Sequence, residues 1–574
     1  MVQSGDIPYE ENSSMRWLFR TNLRSFYLLN ATQFTGALND NIFKFLVIYL
    51  LISMKGPASA NIILSLAGGI FVFPFLLFSS AAGVLADKIS KRSIIVFSKC
   101  LELTIMLSAC VIVYMQWEFG LYAALFLLAT HSAIFGPSKY GIIPELVEQK
   151  MVSRANGSLT SLTYLAMILG TFLATFLTEV THKNFLAIAG FCTLVSVIGL
   201  ITALGITRTE PGRSTKKINP FFVYEIYQTV RISWKIPHLL PCIFGSSFFL
   251  FIGAFTQLNM IPFAMQSLHL SEVGGGYLFL ATAIGIAIGA ILSGKLAKDS
   301  VEPGISCIAG VFIGIFFLLL SLFSSSLIAV LILLTLLGIV GGCYLVPFDS
   351  YLQVNSPVEK RGQIIAASNF FSFIGVLMAA IYLYLVSENF GFSASSGFAL
   401  LGVLSLIANF ITTGRLSALF FPFFAKKVLK RFRRLHLASP LPDPANIIVL
   451  QSNSWWDAIL LYTYIPNLKI LIPGKIFRTF PWVNGFFDSI QILPHELDDK
   501  KTEIVSYEIE KCRKKGQPIC LFMHREGDPN IVESYHHTLK SLQIPVSIAR
   551  IQKGKIAKSF LGIQFQQKQI NIKF

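Results

Sequence analysis

The stretch that decides the fold is GVLADKISKR, residues 83 to 92, a short polar segment between two long apolar runs. Gly83 has no side-chain carbon, so a second helix can approach it closely. Asp87 stands near a helix end where it can face cations, and three basic residues follow it: Lys88, Lys91 and Arg92. The pattern predicts a tight connection between two membrane-spanning helices, and it serves either conformational gating or topological anchoring.

Composition indicates that most of the chain lies in lipid. Hydrophobic residues make up 54% of the 574 and charged residues only 13%, whereas a soluble domain carries about a quarter charged residues. A bilayer core of roughly 30 Å needs about 20 apolar residues in a helix. Twelve such stretches are present: 27–53, 60–84, 94–115, 120–136, 158–180, 184–206, 239–263, 273–297, 304–323, 327–348, 364–387 and 393–420. Barrel strands would be shorter and alternating, so the sequence predicts an all-α polytopic membrane protein with twelve transmembrane helices.

The basic residues predict how these helices are oriented. Lys and Arg cluster in every second loop: Arg16, Arg20, Arg24; Lys88, Lys91, Arg92; Lys150, Arg154; Arg208, Arg213, Lys216, Lys217; Lys295, Lys298; Lys360, Arg361. The alternate loops contain only Lys55 and Lys183. Because positive loops stay on the cytoplasmic side, both termini are predicted to be cytoplasmic. This topology accounts for the net charge of +17 and argues against a nucleic-acid partner, since the charges do not follow one groove.

The membrane part divides into two halves that resemble each other. After a cytoplasmic N-terminal segment, residues 1 to 25, six helices fall within 26–206, a polar connection spans 207–238, and six more helices fall within 239–424. FTGALND at 34 aligns with FIGAFTQ at 251, GVLADK at 83 with GKLAKD at 294, and Pro137 with Pro347. A duplicated six-helix unit leaves such an offset, and it places the substrate site between the halves at mid-membrane.

The loop at residues 83 to 92 resembles the signature loop of the major facilitator superfamily. The resemblance implies the fold of that superfamily, with two six-helix halves that alternate access to a central site. Gly83, Asp87, Lys88, Lys91 and Arg92 would then form its gating loop. The motif carries no information about the substrate, because fold does not fix substrate.

Asp40 stands near the centre of the first predicted helix, in GALNDNIFK. A lone carboxylate there costs about 2.5 to 3.5 kcal/mol on insertion scales, so it must face the interior and have a partner. Lys44 lies one turn further, which leaves a local ion pair open. The alternative is a moving salt bridge or an ion-coupling residue, and the flanking amides of Asn39 and Asn41 favour a wet cavity wall.

A second polar stretch ends the fourth predicted helix, in HSAIFGPSKYGIIPELV from His131. The residues Gly136, Pro137 and Gly141 are expected to break the helix, while Lys139, Tyr140 and Glu145 supply charge and a phenol. A broken helix that carries a cation suits capture of an anionic headgroup, since irregular backbone at depth is tolerated beside protein or water. A plain surface loop is the alternative. In the third helix, Lys99 and Glu102 are interpreted as a structural pair or as snorkelling side chains.

Three segments together resemble the bacterial lysophospholipid transporters of the major facilitator superfamily: TQFTGALNDNIFK, GPSKYGIIPE with the following RANGSLT, and GGCYLVPFDSYLQ. The resemblance spans roughly residues 25 to 420. It implies a flippase that moves lysophospholipid to the inner leaflet of the bacterial inner membrane for reacylation. It also implies a charged translocation path of Asp40, Asn39, Lys139, Tyr140 and Glu145. Gln257 occupies the position that matches Asp40 in the second half, so Lys139 or Lys44 must supply the opposing cation.

The composition changes after Phe424 to a basic linker, residues 425 to 444, and then to alternating β-rich and charged runs that predict a small α/β domain at 445–574. This tail resembles a phospholipid acyltransferase domain. Asp457 is present in IIVLQSNSWWDAILL, but Ser452 stands where the catalytic His is expected, and Glu526 and Gly527 remain of the glycerol-phosphate motif. A serine is not a general base near neutral pH. The tail is therefore predicted to be degenerate, with no catalytic residues and no enzymatic activity.

The sequence thus predicts a secondary transporter, with lysophospholipid and membrane lipids as its ligands and no cofactor. No Walker-type phosphate loop is present, and the eight cysteines lie without the paired spacing of a disulfide framework or a metal site. Three alternatives remain: a different small solute, an active acyltransferase tail that uses His524 as its base, and a tail that docks a separate cytoplasmic acyltransferase or acyl-carrier-protein synthetase.

Overall fold

The computed structural model describes residues 13–56, 59–212, 214–216, 221–270, 272–298 and 300–424, followed by seven strand segments in the tail. The chain forms two compact units, Met1–Thr412 and Thr413–Phe574. The first unit contains the helical bundle. The second begins with the last three residues of the helix that ends at Arg415, and it contains the short helix Ser417–Phe423 and the tail.

The bundle is built from long apolar helices. In chain order they are α1 Ser13–Lys55, α2 Ala60–Lys88, α3 Lys91–Tyr114, α4 Glu118–Gly141, α5 Ile143–Leu146, α6 Val152–Val180, α7 Phe185–Leu204, α8 Phe222–Trp234, α9 Leu239–Ser267, α10 Glu272–Ala297, α11 Pro303–Leu322, α12 Leu327–Asn355, α13 Arg361–Tyr384, α14 Ala394–Arg415 and α15 Ser417–Phe423. Twelve of them are long and apolar enough to cross a membrane. The prediction of twelve spans is confirmed.

Proline interrupts fewer helices than the sequence predicts. Pro137 lies inside α4, which continues without a break through Gly136 and ends at Gly141. The expected break at Gly136 and Pro137 is therefore wrong. A proline removes one backbone hydrogen bond, and packed neighbouring helices compensate for that loss in a membrane bundle. Pro347 is likewise inside α12, which extends to Asn355, beyond the predicted end of its span.

The connection between the halves contains a helix that the sequence did not predict. Residues 207–238 were expected to be a polar connection, but α8 occupies Phe222–Trp234 within it. The last span was also expected to reach residue 420, whereas α14 ends at Arg415 and the separate α15 begins at Ser417. Helix ends in polar connections depend on packing, which a hydropathy pattern does not contain.

The hydrogen bonds between the two halves lie at one end of the bundle. We call this end, at which Lys88, Lys91 and Arg92 lie, the basic end. Asn156 Nδ2 on α6 donates to Gln353 Oε1 on α12 at 2.9 Å, and Gln353 Nε2 donates back at 2.8 Å. A Cβ on Gly157 would lie 2.4 Å from the carbonyl oxygen of Ala290 on α10, so glycine allows these two helices to touch. The basic end is thus closed by direct contact between the halves.

The described part of the tail is a seven-stranded sheet. Its strands are β1 Leu435–Leu437, β2 Ile447–Ser452, β3 Lys469–Pro473, β4 Ile492–His495, β5 Ile519–His524, β6 Val546–Phe560 and β7 Ile563–Lys573, in the order β1-β7-β6-β2-β5-β3-β4. Strands β6, β2, β5, β3 and β4 are mutually parallel, and β6 pairs with β7 antiparallel. Strands are present in each of the four β-rich runs of the tail, IIVLQ, LKILI, PICLFM and PVSIARI. The segments between the strands lie outside the described residues.

Candidate functional site

A cavity of about 490 Å³ lies between the halves of the bundle. Its wall combines aromatic rings with a few charged and amide side chains. The rings come from both halves, and Phe75 of α2 stacks on Phe373 of α13 with centroids 4.0 Å apart. The charged side chains are Asp40, Lys44, Lys99, Lys139 and Asp349. A mainly apolar wall with a few polar groups is typical of a small-molecule binding site.

Asp40 lines this cavity from α1. Ser132 Oγ on α4 donates a hydrogen bond to Asp40 Oδ2 at 2.7 Å, and Asp40 Oδ1 is buried without a hydrogen-bond partner among the described residues. In the same part of the chain no ion pair joins Asp40 to Lys44. Instead, Lys44 Nζ lies 5.2 Å and 5.6 Å from the ring centroids of Phe45 and Phe71. One oxygen of the Asp40 carboxylate therefore has its hydrogen-bonding capacity unused in this conformation.

Lys139 enters the cavity from the last turn of α4. Its Nζ donates to Gln33 Oε1 at 3.2 Å and lies 5.0 Å from the ring centroid of Tyr140 and 5.6 Å from that of Phe135. No carboxylate lies within ion-pair distance of it among the described residues. An amide and two ring faces stabilise the ammonium weakly, so Lys139 can accept an anionic ligand group. Tyr140 and Gln257 also line the cavity.

Asn39 does not line the cavity but belongs to a buried polar cluster around Glu102, which borders the cavity through Lys99 and His131. Its Nδ2 donates to Glu102 Oε1 at 3.0 Å and to Ser196 Oγ at 2.9 Å. The other oxygen of Glu102 accepts from Lys99 Nζ at 2.5 Å, with both side chains fully buried. His131 Nε2 is 3.4 Å from the same oxygen. A Cβ on Gly36 would lie 2.5 Å from Lys99 Nζ, so that glycine provides the space for the lysine.

Glu145 also lies outside the cavity wall. It belongs to the short helix α5 at the basic end, where its carboxylate pairs with Lys91 Nζ at 2.5 Å. Arg92 donates to the carbonyl oxygens of Leu204 and Ile206 at 3.0 and 3.3 Å, which satisfies the C-terminus of α7. Glu145, predicted to be a translocation residue, is thus placed with the gating loop, because α4 ends at Gly141 and the chain turns there.

Asp87 joins the two halves at the basic end. Its Oδ1 accepts the backbone N–H of Gly362 at 2.6 Å, and its Oδ2 accepts the backbone N–H and Nε2 of Gln363, both at 3.0 Å. The carboxylate therefore sits on the N-terminus of α13, where free N–H groups and the helix dipole favour an anion. A Cβ on Gly83 would lie 2.6 Å from the Ala366 Cβ, so glycine is required for this close approach. Lys88 is half-buried beside this contact.

Asp349 is the cavity residue that the sequence analysis missed. It lies on α12 in the second half and accepts a hydrogen bond from Ser246 Oγ at 2.9 Å. Asp349 and Lys139 line the same cavity from opposite halves. The internal repeat contained the signal: Lys139 follows Pro137 by two residues, and Asp349 follows Pro347 by two. The second half thus brings a carboxylate, Asp349, to the cavity wall, whereas Lys139 comes from the first half.

The tail motifs are only partly described. Ser452 is the last residue of β2, and His524 is the last residue of β5. These strands are parallel neighbours, and Ser452 and His524 are partners in their register. Asp457, Glu526 and Gly527 lie outside the described residues.

Comparison with known proteins identifies the membrane part. The profile of the Major Facilitator Superfamily matches residues 29–380. The lysophospholipid transporter LplT of Enterobacter sp. (strain 638) is 28% identical over 349 residues, which cover 59% of this chain and 82% of that protein. LplT of Citrobacter koseri is 28% identical over 347 residues, which cover 59% and 81%.

Solved structures share the fold at low identity. The human organic anion transporter MFSD10 is 14% identical with a TM-score of 0.58, over 68% of this chain and 99% of that one. The transporter FucP in its outward conformation is 14% identical with a TM-score of 0.58, over 69% and 99%. The matched profile covers more than half of the residues, and the twelve spans and the central cavity agree with it. The chain belongs to the major facilitator superfamily.

Proposed function

We propose that this transporter is a lysophospholipid flippase of the bacterial inner membrane. The observation that carries the proposal is the cavity, in which a lysine and two carboxylates stand within an aromatic wall. The similarity to LplT proteins supports it.

A zwitterionic lysophospholipid matches the charges of this cavity. The phosphate would contact Lys139, which has no carboxylate within ion-pair distance among the described residues. An amine of the headgroup would face the carboxylate of Asp349 or that of Asp40. The acyl chain would lie against phenylalanine rings such as Phe75 and Phe373, or in surrounding lipid. The headgroup is then the part that the protein recognises.

The proposed cycle is alternating access. The positive loops place the basic end in the cytoplasm, with both termini on that side. In the conformation described above this end is closed, so the cavity would receive lysophospholipid from the outer leaflet. Separation of Asp87 from α13 would open it toward the inner leaflet, where a reacylating enzyme would use the product. Gly83, Lys88, Lys91 and Arg92 act as the gating loop in this proposal.

Reconstitution tests the proposal. Labelled lysophosphatidylethanolamine is placed in one leaflet of liposomes, and its appearance in the other leaflet is followed with and without the protein. Flipping above the rate in empty liposomes supports the function, and Lys183→Ala serves as a surface-charge control outside the cavity. If the flipping rate does not exceed that of empty liposomes and the protein takes up a drug or sugar, a different small solute would be favoured as its substrate.

A second candidate function, acyl transfer by the tail, is favoured by the register of Ser452 and His524. Loops that follow the carboxyl ends of parallel strands commonly form ligand sites, and both residues end such strands. We nevertheless propose a degenerate acyltransferase-like tail, since Ser452 replaces the expected base. The full-length protein is assayed with lysophospholipid and acyl-coenzyme A or acyl carrier protein. Turnover that is lost in His524→Ala would establish the second function.

A further inference from the structure

The helix α8 packs on the bundle through one face only. It contacts α2, α9 and α13 at the basic end, and its buried residues are Glu225, Ile226, Thr229 and Ser233. Phe222 packs against Phe370 of α13, with ring centroids 6.1 Å apart. This face therefore packs against the basic end of the bundle, and the opposite face of α8 points away from the bundle.

The outward face of α8 is aromatic and carries no acid. Val223, Tyr227 and Trp234 are 64%, 60% and 74% exposed. Their spacing of four and seven residues aligns them in one stripe along the helix. Arg231 and Lys235 are exposed near the same stripe. Glu225, the one carboxylate of α8, is buried on the other face.

The position of this stripe indicates what covers it. Trp234 precedes the first residue of the α9 span, Leu239, by five positions, so α8 lies where the chain enters the bilayer. Tyr and Trp concentrate at the membrane interface, and Lys and Arg there are attracted by anionic headgroups. An amphipathic helix of this composition lies in the plane of the interface.

We propose that α8 is a lipid-binding helix that lies in the headgroup layer of the leaflet at the basic end and stabilises the closed gate. Tyr227 and Trp234 lie at the acyl boundary, and Arg231 contacts anionic headgroups. This inference goes beyond the proposed flipping function and does not depend on the transported substrate.

The connection from α8 to the gate is a continuous chain of polar contacts. Glu225 forms an ion pair with Lys216, and Lys216 Nζ donates to Gln363 Oε1 at 3.0 Å. Gln363 Nε2 in turn donates to Asp87 Oδ2 at 3.0 Å. The backbone N–H of Ser214 donates to the carbonyl oxygen of Asp87 at 3.3 Å. A helix anchored in lipid therefore holds Lys216 on Gln363, which in turn binds Asp87.

The lipid contact is tested by tryptophan quenching in liposomes of phosphatidylethanolamine and phosphatidylglycerol. The difference between the emission of the unmodified protein and that of Trp234→Phe isolates Trp234. We expect lipids brominated near the headgroup to quench this component, and aqueous iodide to quench it weakly. Tyr227→Asp should reverse both results, whereas Tyr227→Phe should preserve them. Strong iodide quenching with no effect of brominated lipid would overturn the proposal.

The coupling to the gate is tested by spin-label distances between Gln149→Cys and Lys360→Cys, which lie on opposite halves at the basic end, in a cysteine-depleted background. We expect a higher phosphatidylglycerol content to increase the closed population several-fold, and Glu225→Gln to remove that dependence. Glu302→Gln, a surface carboxylate at the same end, is the matched control and should retain it. Unchanged lipid dependence in Glu225→Gln would refute the coupling even if α8 binds lipid. Neither experiment requires transport.

Discussion

Replacing Asp87 by Asn tests whether the gating loop determines which end of the transporter is closed. The carboxylate accepts three hydrogen bonds from Gly362 and Gln363. Hydrogen bonds to a charged group contribute about 1.5 to 3 kcal/mol each. Asn keeps one acceptor oxygen but lacks the negative charge that faces the N-terminus of α13. In the open state water hydrates either side chain, which offsets part of the lost hydrogen-bond energy. The net destabilisation of the closed basic end should therefore be about 2 to 3 kcal/mol.

A change of that size is large for a conformational equilibrium. Since 1.4 kcal/mol corresponds to a factor of ten, the ratio of closed to open protein should fall roughly 30- to 140-fold. The spin-label pair Gln149→Cys and Lys360→Cys reports it as a new population at longer distance. Glu302→Gln should leave the distribution unaltered, because that carboxylate accepts a hydrogen bond from Ser300 within its own half. An unaltered distribution in Asp87→Asn would make the loop a topological anchor and not a gate.

Three further predictions concern the cavity and the buried polar cluster around Glu102 that borders it. Asp40→Asn should abolish lysophospholipid flipping while expression remains normal, because a carboxylate in the membrane is costly unless its charge is used; near-normal flipping in liposomes would contradict this role. Lys139→Ala should slow phosphate-bearing substrates most, and equal loss for neutral lipids in a competition assay would exclude headgroup capture. Lys99→Met should lower the free energy of unfolding by about 3 to 5 kcal/mol, since it leaves Glu102 buried without its cation. Combining Lys99→Met with Glu102→Gln should recover part of that loss. Thermal unfolding in detergent measures both variants, and additive losses would show that the two residues are not coupled.

In the tail, the sequence predicted where strands form but not which strands pair. Four β-rich runs predicted strands, and strands are present at each of them. The pairing of β2 with β5 could not be predicted from the sequence. The 66 residues between Ser452, where β2 ends, and Ile519, where β5 begins, separate the two strands along the chain. Only the pairing of distant strands brings Ser452 into register with His524.

The sequence by itself determined the number of spans, the division into halves and the clustering of basic residues at one end. These properties are local, since a helix of about 20 apolar residues crosses a bilayer whatever its neighbours are. Lys139 and Asp349 occupy matching positions in the repeat, each two residues after a proline. That both side chains line one cavity is known only from the structure.

Only the tertiary structure decided which polar side chains share a site. Asn39 and Asp40 are adjacent in sequence, yet a rotation of about 100° along the helix sends one to Glu102 and the other to the cavity. Glu145 could not be separated from Lys139 in advance, because only the structure shows that the chain turns after Gly141 and brings Glu145 to Lys91. Asp87 and Gly362 are 275 residues apart, and the contact between them exists only because the two halves close on each other.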